Sequence, residues 1–214
     1  MSETKQTSPL RIVVKVGSNV LTRPDGKPNV TNMSALVDQI AALRAAGHQI
    51  ILVSSGAVAC GRGALRPTRQ LDAVAQRQLF SSIGQIRLIN LYNSLFGEYG
   101  YVVGQVLTQK ENFSSRTSYL NQRACMQTML ENGVIPIVNE NDTASLTELM
   151  FTDNDELSGL IAAMMDAGYA DKFSAEITTY KRNGAYSDRI RITIYIQSAT
   201  PELIRPRLLR AQFI

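Results

Sequence analysis

A lone lysine in an apolar run is the first residue in this chain whose surroundings suggest chemistry. Lys15 stands in RIVVKV, residues 11–16, a run followed at once by Gly17, Ser18 and Asn19. Burying an ammonium group is costly unless an anion meets it, and a neighbouring glycine lets backbone N–H groups approach phosphate oxygens with no side chain in the way. The pattern suits a phosphate, although an edge-strand lysine beside a turn glycine gives the same letters. Its spacing differs from GxxxxGK[ST], which excludes a P-loop. Polar residues close two further apolar runs: Ser55 and Gly56 after QIILV, and Asn139 to Asp142 after VIPIV. Asp153, Asn154 and Asp155 then open an amphipathic stretch. By themselves, Ser55 and Gly56 read first as a tight strand-to-helix turn and Asp142 as a turn or cap residue, while DNDELS reads equally as a helix-capping sequence.

The elements that position these residues alternate between strand and helix. Residues 12–16 form a β-branched strand, and residues 31–47 a helix with Leu36, Ile40 and Leu43 on one face, a Thr31 or Asn32 cap and Gly47 as its stop. The strand 49–53 follows and runs into the small residues of SSGAVACGRG, which open another helix. A βαβ unit is complete by residue 56, and its glycine-rich end lies at a carboxyl strand terminus, where open α/β sheets bind ligands. Residues 72–97 read as one long helix or a bent pair, with Val74, Leu79, Ile83, Ile86, Leu91 and Leu95 as the apolar stripe and Gly84 marking a close crossing or bend. The strands 101–107 and 134–138 flank a helix over 119–130. Pro136 argues against a central position for the last strand, because proline donates no ladder hydrogen bond. The last helix should carry Leu157, Leu160, Ile161 and Met164 inward.

Composition narrows the function classes. The 214 residues are 44% hydrophobic and 19% charged, enough for a sizeable soluble core. The first ten residues are polar, expected to be flexible, and lack the apolar segment of a leader; no stretch is long and apolar enough to span a membrane. A cytoplasmic protein is expected. Cys60 and Cys125 read as reduced thiols, and a single histidine, His48, makes a zinc site untenable; His48 reads as a surface or boundary residue after a helix stop. Residues 1–167 balance 14 Lys and Arg with 14 Asp and Glu, whereas residues 168–214 hold 8 against 4. The basic excess therefore lies in the tail, and without aromatic stacking or a nucleic-acid module it gives no reason to expect nucleic-acid binding.

Six segments in one order carry a resemblance: VVKVGSNVLT, VSSGAVACG, QLFSSIGQIRLI, VGQVLTQKENF, IPIVNENDT and FTDNDELSGLIA. Together they resemble the glutamate 5-kinase branch of the amino acid kinase family, over residues 11 to about 167. NENDT and TDNDELSG speak against the acetylglutamate and carbamate kinase branches. The resemblance implies a three-layer α/β sandwich with a mostly parallel sheet. It also implies transfer of the γ-phosphoryl group of ATP, bound with Mg²⁺, to the side-chain carboxylate of L-glutamate, the first committed step of proline synthesis. By that resemblance Lys15 bridges phosphoryl oxygens of ATP and the transition state, and Gly17 and Ser18 line the phosphate path. Ser55, Gly56, Asp142 and Asn154 hold glutamate, and Asp155 orients lysines around the transferring group. No metal ligand is expected from the protein, and a homo-oligomer is.

The resemblance ends where the charge balance changes. The family continues with an apolar strand, a nucleotide-gripping Ser or Thr with Asp or Asn, and a glycine-rich loop with a lysine; residues 168–214 show none of these. The sheet is expected to be incomplete on its carboxyl-terminal side, no residues remain for an appended domain, and the tail reads as a foreign segment from an out-of-frame reading or a junction. RITIYIQ, residues 191–197, still alternates as a strand and could pair with an open sheet edge, with weak packing of Ile192, Ile194 and Ile196. Two readings follow: an active glutamate kinase, or a catalytically inactive fragment that retains the glutamate pocket.

Overall fold

Alternating β-branched residues build the centre of the molecule. The computed structural model describes residues 9–144, 154–166, 171–180 and 186–196. Its strands are β1 (Arg11–Val16), β2 (Gln49–Ser54), β3 (Val103–Thr108), β4 (Ile135–Glu140), β5 (Asp171–Tyr180) and β6 (Tyr186–Ile196), joined in one sheet in the order β3-β4-β2-β1-β6-β5. The first four are mutually parallel, with Val13 opposite Ile51, Val53 opposite Val138 and Val106 opposite Val138. β6 runs antiparallel to β1, with Ile12 opposite Ile196 and Val16 opposite Ile192, and β5 pairs with β6 as a hairpin. The tail strand therefore occupies the edge of β1. How its side chains pack lies outside the described residues, as do most of the polar N-terminus and Asp153.

Helices cover both faces, which gives the three layers expected. Ile12, Val14, Ile50, Leu52, Ile135 and Ile137 point to one side, into a core closed by α2 (Val30–Ala45) and α4 (Ala73–Gly97). Their neighbours Val13, Ile51, Val53 and Val138 point to the other, where α6 (Arg116–Glu131) and α7 (Asn154–Met164) bring Met126, Leu130, Leu157 and Ile161. This is the period-two alternation of strands buried on both faces. Short helices α1 (Ser18–Leu21), α3 (Ala57–Arg62) and α5 (Glu111–Ser114) follow strand ends or precede longer helices. Among the described residues no helix is long and apolar enough to cross a membrane.

Several expectations need correction. The cap of α2 is Asn29, whose side chain accepts the Asn32 N–H, and not Thr31 or Asn32. α4 is one continuous helix capped by Asp72, and its buried face is Phe80, Ser81, Gly84, Gln85, Leu88, Tyr92 and Phe96; Val74 and Ile86 are exposed. β4 is central despite Pro136. The Ile135 N–H bonds to the Val102 carbonyl on the β3 side, so by alternation the nitrogen of Pro136 faces β2, where pairing begins only at Ile137 opposite Leu52. The donor that the proline lacks is therefore one on the β2 side, next to the first β2–β4 pair.

His48 is buried rather than at the surface, and its Nδ1 accepts the Leu10 N–H at 3.1 Å, fixing the approach to β1. An acceptor at Nδ1 requires the neutral ring with its proton on Nε2. Burial accordingly pushes the imidazole below its ordinary value. The unfolded chain then binds more protons, so this contribution to stability is full above about pH 6.5 and declines as pH falls from there toward the lower folded value. A thermal melt of the chain is expected to lose stability on acidification through that window, and His48→Gln, which keeps an acceptor, is expected to flatten the loss. Equal slopes for both proteins would remove His48 from the account.

Candidate functional site

The carboxyl ends of β1, β2 and β4 meet at one side of the sheet, and each delivers polar groups. Lys15 shares its face of β1 with Val13, so its side chain runs toward α7 rather than α4. Its Nζ lies 3.2 Å from Asp155 Oδ1 in the first turn of α7. A Cβ at position 17 would stand 4.0 Å from that ammonium group, so glycine there keeps its flank open. β2 ends in Ser54, whose hydroxyl hydrogen-bonds the buried Tyr92 hydroxyl of α4 at 2.8 Å and fixes the turn at Ser55. Gly56 then takes φ +105°, a left-handed conformation that a side chain rarely adopts, and from it α3 departs.

These turns surround a cleft of about 380 Å³ bordered by Ser18, Ser55, Gly56, Asn139, Asp142 and Asn154, together with Arg62, Arg77 and Glu140. The side-chain amide of Asn154 donates to Ser55 Oγ, and at 3.5 Å to Asn139 Oδ1, tying α7 to β2 and β4. Asn139 in turn donates to Gln85 Oε1 of α4 at 3.0 Å. Opposite them, Arg77 Nε donates to Asp142 Oδ1 at 2.6 Å and its NH2 group to Glu140 Oε2 at 2.9 Å. Burial pushes the Asp142 carboxyl above the ordinary carboxylate range, and the Arg77 guanidinium opposes that rise. The arrangement offers a partner for an ammonium group, neutral donors for carboxylate oxygens, and a cation two positions before the Gly17 turn.

Of the residues singled out from sequence, Ser18, Ser55, Gly56, Asp142 and Asn154 border the same cleft. Lys15 and Asp155 pair beside it, and Gly17 adjoins Lys15. The capping reading of DNDELS is compatible with this, since Asn154 and Asp155 occupy the first turn of α7 while also reaching Ser55 and Lys15. A model described as the amino acid kinase family matches residues 10–172. The chain belongs to the amino acid kinase family. A glutamate 5-kinase of Bacteroides thetaiotaomicron is 70% identical over 157 residues, which is 73% of this chain and 44% of that protein. One from Chlorobaculum tepidum is 51% identical over 155 residues, 72% of this chain and 43% of that protein. One from Syntrophus aciditrophicus is 37% identical over 193 residues, 90% of this chain and 50% of that protein, a match long enough to enter the segment after residue 167. The chain thus spans about half the length of the curated relatives it matches.

Sequence reasoning about this amino acid kinase chain missed Arg77, Asn139, Glu140, Gln85 and Arg62. Asn139 and Glu140 lay inside a recognised motif without a role. Arg77 carried a usable signal: it precedes Ser81 by four positions and Gly84 by seven, which puts it on the buried face of α4. Its two acidic partners lie 63 and 65 positions away, beyond any local pattern.

Proposed function

We propose that the cleft binds L-glutamate and that the reaction it serves is transfer of the γ-phosphoryl group of MgATP to the glutamate side-chain carboxylate, the first step of proline biosynthesis. The observation that carries this reading is the convergence of Ser55, Gly56, Asp142 and Asn154 on one small cleft, with the Lys15–Asp155 pair beside it. A cleft of about 380 Å³ suits a small amino acid, near the lower end of the roughly 300–1,000 Å³ of ligand pockets. Asp142 meets the α-ammonium group, and the Asn154 and Ser55 side chains orient carboxylate oxygens. The nucleophile is already ionised near neutral pH, so no general base is needed, and the single histidine, His48, is committed to Leu10. Positioning and charge neutralisation then carry phosphoryl transfer, and Lys15 supplies a positive charge to the entering phosphoryl oxygens. The names of the relatives, all glutamate 5-kinases, support the same substrate.

The residues after the family match favour a second reading. Residues 173–214 show no glycine-rich loop with a lysine, so the chain can hold a glutamate cleft without groups that grip a nucleotide. Hydroxylamine trapping of the acyl phosphate, run on the purified chain with MgATP and glutamate, separates the two when calorimetric glutamate binding is measured beside it. Turnover together with binding supports the kinase, and binding without turnover supports the inactive glutamate-binding piece. Absence of glutamate binding by a folded chain overturns both.

A further inference from the structure

Two arginines border the cleft, and they differ in what their donors meet. Arg77 commits Nε to Asp142 and NH2 to Glu140. The guanidinium of Arg62 makes no hydrogen bond or ion pair among the described residues and lies instead over the Phe80 ring, 5.9 Å from its centroid. The backbone on either side of it is held. A Cβ at Gly61 would stand 1.9 Å from the Phe80 carbonyl oxygen and one at Gly63 2.5 Å from the Gly26 carbonyl oxygen, so both glycines sit directly against neighbouring backbone. A guanidinium laid on a ring is partly ordered before any ligand arrives, and its planar fork of donors stays open to a carboxylate. Phe80 follows Arg77 by three positions on α4, which makes them neighbours on one helix face and brings Arg62 to the Asp142 side of the cleft.

We propose that Arg62 receives the α-carboxylate of the bound amino acid and so makes the cleft selective for a ligand charged at that position. The ligand named rests on the glutamate reading above. Glutamate carries two carboxylates, and the cleft must part them. The γ-carboxylate belongs where Asn154 adjoins the Lys15–Asp155 pair, the end at which a phosphoryl group approaches. The α-carboxylate shares its carbon with the ammonium group and therefore lies at the Asp142 corner. There Asp142 and Arg62 present opposite charges to the two ends of an α-amino acid head group. Arg77, already engaged with two carboxylates, is the poorer partner for a third.

The probes are L-glutamate and its α-amide, which keeps the ammonium group and the γ-carboxylate but is uncharged at the α position. NMR titration of the full chain is expected to show glutamate bound about tenfold or more tightly than the amide. Arg62→Met removes the charge and keeps an apolar contact with Phe80; the position is exposed, so the packed core is untouched. In that variant glutamate affinity is expected to fall roughly tenfold, and that of the amide by no more than about threefold, so that the preference disappears. A merely structural arginine would weaken both ligands alike. Equal weakening of the two, a preference that survives in Arg62→Met, or a parent chain that binds both ligands equally each overturns the assignment of Arg62 and leaves the glutamate reading standing. A parent chain that binds neither ligand overturns the glutamate reading and this assignment with it.

Discussion

Lys15→Ala is expected to lower glutamate-dependent phosphoryl transfer about 10³-fold while leaving glutamate affinity within about twofold. The split follows from where the lysine points. It does not border the cleft that Ser55, Gly56, Asp142 and Asn154 surround, so it contributes little to holding the amino acid. It stands instead beside the Gly17 turn, paired with Asp155, where a phosphoryl group could exchange places with the carboxylate as the partner of the ammonium. An interaction made mainly in the transition state lowers turnover and spares binding. Hydroxamate formation measured against glutamate concentration, with calorimetric affinity alongside, gives both quantities. A variant that loses binding in proportion to turnover would place Lys15 in the glutamate pocket. One that keeps turnover would remove it from the chemistry.

Gly84→Ala is expected to unfold the chain or leave it molten at room temperature. A Cβ at position 84 would lie 1.7 Å from the Ala57 carbonyl oxygen and 2.5 Å from the Gly61 nitrogen, and one at Gly61 would lie 1.9 Å from the Phe80 carbonyl oxygen. These are backbone atoms of α3 and α4, which cannot yield as a flexible side chain would. Overpacking against backbone costs about 3 kcal/mol or more, a large share of the roughly 5–15 kcal/mol that holds a domain folded. Gly97, at the end of the same helix, is the control, because a Cβ there meets nothing within 4 Å. Circular dichroism melts are expected to show Gly97→Ala unchanged or slightly raised and Gly84→Ala without a cooperative transition. A cooperative melt close to that of the parent would show that the two helices separate at little expense. The same crossing positions Arg77 and Gln85 against the cleft, so glutamate binding is expected to vanish with the fold.

The fold was readable wherever one residue type meant one environment. Residues 12–16 and 49–53 read as strands and are buried ones, and of the crossing or bend that Gly84 announced the structure shows the crossing with α3. The register of α4 was not readable, because hydrophobicity and burial part company along it. Ile86 is apolar yet exposed, whereas Ser81 and Gln85 are polar yet buried, the first bonded to the Gln78 carbonyl of its own helix and the second against Asn139. A helix that packs through small residues and also serves a site does not carry its apolar letters on its buried face. Pro136 misled because β4 keeps its central place by pairing with β3 along its whole length and with β2 from Ile137 onward, which one missing donor does not undo. At the site, residues adjoining strand ends were found because turns announce themselves. Arg77 was missed because its importance arises from β4, which only the folded sheet brings to it.

The position of β1 in the sheet has a consequence for how the chain is made. β2 pairs with one side of β1 soon after synthesis begins, but the other side is met by β6, about 140 residues further along. At about 5–20 residues per second a ribosome needs on the order of ten seconds to cover that distance. Throughout that interval the nascent chain displays an unfilled row of backbone donors and acceptors, the kind of edge to which a second nascent chain could add. Lys15 stands near the carboxyl end of that row, where Thr193 of β6 later comes opposite it. Charge on an open strand discourages such additions, so the lysine proposed for phosphoryl transfer also counts against joining of neighbours on the same messenger until β6 arrives.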